Sequence, residues 1–284
     1  LKIGIGLPSA VPGTEASLLI EWATRAEALS FSSLGVVDRP RYDSFDPMTT
    51  LAMAAAVTSD IGLVTMVVIG PLRNTALLAK EAATIDAISG GRLALGLAVG
   101  ARVDDYLAAG MPPSGRGDRL TDQLAELRLF WERDETRSLL HSPHGPPLLV
   151  GGMNDAAFYR MARYADGYIH GGGPPKTFER AAGRARTAWA DLERTGDPAL
   201  WAQGYFALGN EGVVSRGRAY MRDYYAFTGP FADKIAEGML ATPQAVAQFV
   251  RGYAEAGCEE LVLLPAVADP EQIDRLRDSL AGVT

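Results

Sequence analysis

The sequence predicts a (β/α)8 barrel forming a single domain over residues 1–284, and three observations lead there. At 284 residues the chain is long for a small domain and normal for one large α/β barrel. Short, nearly continuous apolar runs alternate with longer helical patterns, as expected of parallel strands covered on both faces. Eight such runs fit in this length, which is the count a closed TIM-type barrel needs.

The runs, in order, are "KIGIGLP" (2–8), "LGVVD" (34–38), "IGLVTMVVIG" (61–70) and "RLALGLAVG" (92–100), then "PLLVGG" (147–152), "GYIHGG" (167–172), "GYFALG" (204–209) and "ELVLLPAV" (260–267). After the first run, "SLLIEWATRAEAL" places Leu18, Leu19, Trp22, Ala23 and Ala26 on one helical face. In "DPMTTLAMAAAVTS", Asp46 stands where an N-cap belongs and Pro47 at the first helical position. "TALLAKEAATIDAIS" stops at Gly90-Gly91, a helix C-terminal signal. Further helices are expected near 117–132, 154–165, 176–194, 243–256 and 270–280. Residues 134–146 read as an irregular link. The aromatic-rich stretch 210–242 reads as an insertion after strand 7.

The competing architecture is a doubly wound open sheet, which wants a glycine-rich phosphate fingerprint after its first strand. "GIGLPS" supplies Gly4 and Gly6 but Ser9 in place of a third glycine, and both glycines lie inside the strand.

Composition narrows the function. Hydrophobic residues make up 48% and charged residues 21%, an ordinary globular balance. A net charge of −7 argues against nucleic acid as a partner, because phosphate binding needs a clustered positive excess. The one cysteine, Cys258, excludes an internal disulfide and a Cys-based zinc site, and three histidines make a His-rich metal site a poor expectation. The start "LKIGIGLPSAVPG" lacks secretory features, and no apolar run approaches the roughly 18 residues of a membrane span, so a cytoplasmic location is expected. HExxH, GxSxG, P-loop and CxxC patterns are absent, which favours a cofactor that brings its own chemistry.

In a barrel of this type the active site lies at the C-terminal ends of the strands. That rule selects Asp38 and Arg39 after strand 2, residues 67–73 at the end of strand 3, 100–105 after strand 4, 151–154 after strand 5, and His170 on strand 6. Asp86 and Arg92 fall at the opposite face and read as a structural ion pair or cap. Gly151-Gly152 ahead of a helix serves either a phosphate, through free backbone N–H groups, or a plain turn with Asn154 as N-cap. His170 is read as a proton donor or as a histidine hydrogen-bonded within the rim. Arg39, Arg41 and Arg73 either neutralise an anionic ligand or pair with Asp38, Asp43 and Asp46. The aromatics at 224–227 line a pocket or pack a lid helix.

The stretch "TIDAISGGRLALGLAVGARVDDYLAAGM" (84–111) resembles the luciferase-like monooxygenase superfamily of flavin- and deazaflavin-dependent enzymes. The shared features are Ile85-Asp86, Ser89, Gly91-Arg92, Gly100, Asp104-Asp105 and Tyr106. "LGVVDRP", "DPMTTLAMAAAVTS", "RGDRLTDQLAELRLFW", "PPLLVGG", "ARYADGYI" and "GCEELVLLP" agree in order, so the resemblance covers nearly the whole chain. It implies a (β/α)8 barrel and flavin mononucleotide (FMN) at the C-terminal face, or alternatively the deazaflavin coenzyme F-420. It implies ring support from Thr65, Met66 and Val67, with a non-prolyl cis peptide that falls by position at Thr65–Met66. It further implies a ring or ribityl contact at Val99 and Gly100, and a phosphate seat at Gly151, Gly152 and Met153.

One departure stands out: several members of the superfamily place a histidine directly after the strand 2 aspartate, where this chain has Arg39. That weighs against luciferase chemistry and deazaflavin sugar dehydrogenation. The expected activity is oxidation of a small organic substrate by reduced flavin and oxygen, with Asp38, Arg39 and His170 as the polar groups near the reacting atoms. The alternatives are hydride transfer with the deazaflavin coenzyme and a non-catalytic flavin-binding barrel. A phosphate-binding isomerase or lyase would want a general-base Lys or Glu at a strand end, and none of the four lysines, Lys2, Lys80, Lys176 and Lys234, sits at one. A reductase supplying reduced cofactor and a homodimer are the expected partners, with no metal, nucleic acid or membrane.

Overall fold

The computed structural model describes residues 1–132, 139–142 and 144–282, so the link expected at 134–146 falls in part outside the described residues. Nine strand segments fill eight barrel positions: β1 (Lys2–Gly6), β2 (Ser33–Val36), β3 (Gly62–Thr65), β4 (Val68–Ile69), β5 (Leu93–Ala98), β6 (Leu148–Gly151), β7 (Gly167–His170), β8 (Ala199–Phe206) and β9 (Glu260–Pro265). All pairings are parallel, and the extra β3–β5 pairing closes the ring. The fold is therefore the (β/α)8 barrel that the sequence predicts.

The helices among the described residues are α1 (Ala16–Ala28), α2 (Pro47–Val57), α3 (Thr75–Ser89), α4 (Val103–Ala108), α5 (Arg116–Glu132), α6 (Asp155–Tyr164), α7 (Pro175–Asp191), α8 (Glu211–Tyr224), α9 (Phe231–Glu237), α10 (Pro243–Glu255) and α11 (Glu271–Leu280). Local chemistry sets their ends. Asp46 accepts from Thr49 N at 2.9 Å with Pro47 behind it, and Gly90 closes α3 in the left-handed conformation at φ 68°. Residues 210–242 carry α8, a 3-10 turn (Ala226–Thr228) and α9.

Strand alternation sorts the apolar residues into two cores. Outward positions such as Ile5, Leu34, Leu95, Leu97, Val150 and Leu263 pack against the helices. Inward positions such as Val64, Met66, Leu149, Ile169, Val262 and Leu264 fill the barrel and continue into Met221, Tyr224 and Met239 of the 210–242 region. That region thus packs on the inner core at the C-terminal end.

Two strands differ from expectation. The run 61–70 is not one strand but two, broken between Thr65 and Val68, and the non-prolyl cis peptide lies at Met66–Val67 rather than Thr65–Met66. The ladder to β2 explains the shift: Val36 pairs with Thr65, and Met66 N still donates to Val36 O at 2.6 Å, so the departure begins one residue later. The strand sought at 204–209 begins instead at Ala199. Its inward side chains Trp201 and Tyr205 are half-buried and its inward Gln203 is polar, which hides the apolar run that marks the other strands.

At the opposite end, Asp86 and Arg92 are structural but do not pair with each other. Arg92 donates to Ala55 O, Thr58 O, Ile61 O and Ser89 O, closing the end of α2, while Asp86 accepts from His141 N at 2.8 Å.

The strand break is stitched by one side chain. Thr65 Oγ1 accepts from Gly96 N and donates to Gly96 O, both at 2.7 Å, with no exposure to solvent. Gly96 must lack a side chain, because a Cβ there would stand 2.2 Å from Thr65 O and 2.5 Å from Ile169 Cδ1. Thr65→Val keeps the shape and deletes the hydroxyl, leaving the N–H and C=O of Gly96 both unpaired. Its expected cost is about 2–4 kcal/mol of unfolding free energy, read from urea denaturation, and a loss below about 0.5 kcal/mol would rule the stitch out.

Candidate active site

The C-terminal ends of β4 to β7 form a shallow apolar floor. Val67 stands half-exposed beyond the cis peptide, with Cγ1 facing Gly96 and Gly151, and half-exposed Ala98 and Val99 lie beside it. Gly151 points inward: a Cβ there would touch Ala98 Cβ at 3.4 Å and Val67 Cγ1 at 3.8 Å without overlap. Gly152 is constrained by its backbone, at φ 143°, and a Cβ would meet Ala157 Cβ at 2.5 Å. Gly100 adopts φ 70° close against Ile69, and Val99 O accepts from Tyr106 OH at 2.5 Å. Asn154 caps α6 through Ala157 N at 2.9 Å. The Met153 side chain is exposed, and its carbonyl accepts from Arg184 at 2.7 Å. Val67, Val99, Gly100, Gly151, Gly152 and Met153 therefore share one rim, whereas Thr65 and Met66 are buried beneath it.

Two of the three polar candidates have other occupations. Asp38 is buried, accepts from Ile69 N at 3.0 Å and faces Arg73, which bonds Asp46 at 2.7 Å as well. Burial raises the Asp38 carboxyl above its usual range, against the pull of Arg73. Its partner is thus Arg73 and not Arg39. His170 points out of the barrel, as its place one step from inward Ile169 dictates. It lies edge-on to Phe178 of α7, with Nδ1 3.2 Å from Tyr168 OH and Nε2 3.3 Å from Thr177 Oγ1. Thr177 and Tyr168 give their own hydroxyl protons to Pro174 O and Gly152 O, so neither donates to the imidazole. Tyr168 OH in turn reaches Gly152 O at 2.9 Å, which ties this outer network to the glycine rim.

Arg39 does face the mouth, and it is joined by Arg102, which the sequence reading selects only as part of the stretch after strand 4. Arg39 Nη1 and Arg102 Nη2 both donate to Tyr224 O, at 3.2 and 3.0 Å. Arg39 lies over the Tyr42 ring at 4.1 Å, and Arg102 over Tyr224 at 4.3 Å and Phe227 at 4.5 Å. Of the aromatics at 224–227, Tyr224 ends α8 and packs on the inner core, whereas Phe227 is exposed beside Arg102. Arg41 is exposed and lends only its backbone N–H to Asp105. Gln203 was not foreseen: it sits inward on β8, donates to Gly171 O at 3.2 Å, and leaves a buried Oε1 without a partner. Across the mouth, a cleft of about 420 Å³ opens between Val11, Tyr42, Tyr220 and Val267. Among the described residues no group of His, Cys, Asp or Glu has the arrangement of a metal site.

The family model described as luciferase-like monooxygenase matches residues 3–273. The uncharacterised Mycobacterium tuberculosis protein Rv0940c is 31% identical over 217 residues, 64% of this chain and 75% of that protein. The pyrimidine monooxygenase RutA of Escherichia coli is 31% identical over 173 residues, which are 54% of this chain and 47% of RutA. Among solved structures, monooxygenase RslO1 from Streptomyces bottropensis superposes with a TM-score of 0.80 at 22% identity, covering 99% of this chain and 98% of that one. An F-420-dependent secondary alcohol dehydrogenase in complex with an F-420–acetone adduct reaches 0.79 at 17% identity, covering 100% and 99%. The oxygenating constituent of 3,6-diketocamphane monooxygenase of Pseudomonas putida, in complex with FMN, reaches 0.74 at 15%, covering 99% and 97%. At these identities the superpositions speak for the fold alone.

The buried imidazole makes a pH prediction. Burial pushes His170 down to about 4 from an ordinary 6.5. The unfolded chain then takes up the proton first, so stability is complete above pH 6.5 and falls as pH drops toward 4. Between pH 7 and pH 5 the loss from this residue is about 2 kcal/mol. Urea midpoints of the native protein and of His170→Gln should diverge over that window, with the variant the flatter; parallel curves would show that His170 is not held neutral.

Proposed function

The chain belongs to the luciferase-like monooxygenase family, and from that premise we propose that it is a flavin-dependent oxidoreductase acting on a small organic substrate at the barrel mouth. The observation that carries this reading is the half-exposed apolar surface of Val67, Ala98 and Val99, which lies beside the Gly151-Gly152 turn at the start of α6 and can take the face of a flat ring. The residues fit such a group in a second respect. Gln203 Oε1 is a buried acceptor without a partner, and the N–H edge of a flavin or deazaflavin ring is a donor that suits it. Bound there, the cofactor supplies the redox chemistry, either activating oxygen or exchanging hydride.

The protein's own part is position and environment. Val67 and Ala98 offer apolar contact to a ring face, and Met66 and Thr65 hold that surface from below. Gly151, Gly152 and Met153 at the start of α6 present backbone N–H groups to a phosphate, where the helix dipole favours negative charge. Val99 and Gly100 flank the path between ring and phosphate. The aromatic cap at 224–227 keeps water from the mouth. Asp38 and His170 are engaged in the wall, and Asp104, 40% exposed beside Arg39, is the carboxylate that stays open at the rim. FMN is the reading we favour, with coenzyme F-420 and hydride transfer as the second, since the fold accommodates either in the solved structures.

Absorbance titration with FMN and with coenzyme F-420 tests the reading, followed by turnover of the reduced cofactor with and without oxygen. Saturable binding of one of them in the micromolar range is expected, and binding of neither would end the proposal. Gly151→Val places a branched side chain on the floor at a position with ordinary backbone geometry. It should weaken cofactor binding at least about tenfold while the thermal midpoint stays within a few degrees. Gly152 is the poorer probe, because its φ and its approach to Ala157 make any substitution a test of α6 packing.

A further inference from the structure

The two arginines of the mouth are short of negative charge. Arg102 is only 8% exposed, and the Arg39 side chain 10%. They converge on the single carbonyl of Tyr224, and the Nε atoms of both are buried without a partner. The carboxylate nearest to either is Asp104, 3.7 Å from Arg39 and itself 40% exposed. No carboxylate of the described residues lies within ion-pair distance of Arg102. Asp105, next in sequence to Asp104, accepts from Arg41 N and leaves Oδ2 buried and unpaired, so it does not complete a pair with Arg102 either. By contrast Arg73, on the same rim, is matched by both Asp38 and Asp46.

Two guanidinium groups brought to one neutral acceptor out of water repel each other, and each retains donors that only an acceptor or an anion satisfies. Their flanks are aromatic. Tyr224, Tyr225 and Phe227 surround Arg102, with Phe227 44% exposed and Tyr225 half-buried. A cation fork bordered by ring faces matches a planar organic anion, which offers a carboxylate or phenolate oxygen to the guanidinium and a ring to the aromatics. The two arginines follow β2 and β5, the strands on either side of the broken β3–β4 position from which Val67 emerges. A group held by them therefore borders the floor assigned to the cofactor ring.

We propose that Arg39 and Arg102 form an anion site that takes the carboxylate or phenolate of an aromatic substrate. The site stands on the geometry above; that its ligand is the substrate rests on the oxidoreductase reading.

Calorimetric titration of the protein, without added cofactor, against benzoate and against its neutral counterpart benzamide tests the site directly. Benzoate should bind about tenfold or more tightly than benzamide. Arg102→Gln should bring the ratio close to one, and Arg102→Lys should restore part of it. A role confined to fastening the cap would lower the thermal midpoint of Arg102→Gln and leave the ratio untouched, which overturns the proposal. So does equal binding, or no binding, of the two probes by the native protein, whether or not the variants fold. A parallel arm compares FMN with riboflavin: if Arg102→Gln removes a preference for FMN, the pair belongs to the cofactor phosphate and the substrate assignment fails. Benzoate selectivity without binding of either cofactor would sink the oxidoreductase reading and leave the anion site standing.

Discussion

The hydroxyl of Thr65, bonded to both the N–H and the C=O of Gly96, is the interaction on which the rest of this barrel depends. A closed parallel sheet has no edge, so every strand must satisfy its neighbours on two sides. The third strand position breaks after Thr65 and resumes at Val68, and across that gap the side chain of Thr65 stands in for backbone partners. The stitch succeeds only because Gly96 has no Cβ to meet the Thr65 carbonyl. Once it is made, Met66–Val67 is free to leave the ladder, Val67 reaches the mouth, and Ile69 N is turned toward Asp38. The site is thus a consequence of how one interrupted strand is reconciled with a closed barrel.

Charge distribution around the mouth follows from the same geometry. Asp38 is drawn into the wall by Ile69 N and Arg73, and Arg73 is shared with Asp46 at the head of α2. His170 is carried outward by strand alternation and held neutral among Tyr168, Phe178 and Thr177. The groups most suited to acid–base chemistry are therefore spent on holding the wall. What remains is an apolar floor, backbone amides, the part-exposed Asp104 and two under-matched guanidinium groups. Such a surface offers contact and orientation more than chemistry of its own, which is why the proposed reading gives the redox step to a cofactor.

Much of this was legible in the sequence, and the illegible part has identifiable causes. Continuous apolar runs reveal strands buried on both faces, so seven of the strand positions and the barrel emerge from pattern alone. Caps at Asp46, Asn154 and Gly90 are local in their chemistry and are read locally. The start of β8 is hidden because Trp201, near the N-terminal end of the strand, is half-buried and Gln203 is polar, which interrupts the apolar run. The rule that sites lie at strand ends selects the glycine rim, but it does not say which way a residue points. His170 is at the right end and on the wrong face. Arg102 and Gln203 acquire meaning only from partners distant in sequence, Tyr224 and Gly171, which no local pattern supplies.

The claim at the centre is that one cradle, built by the broken strand, seats a flavin-type ring. A crystal structure of the protein grown with FMN measures this most directly. The ring should lie against Val67 and Ala98, with its phosphate beside Gly151 and Gly152. A ring found instead in the cleft between Tyr42, Tyr220 and Val267, across the mouth, would contradict it.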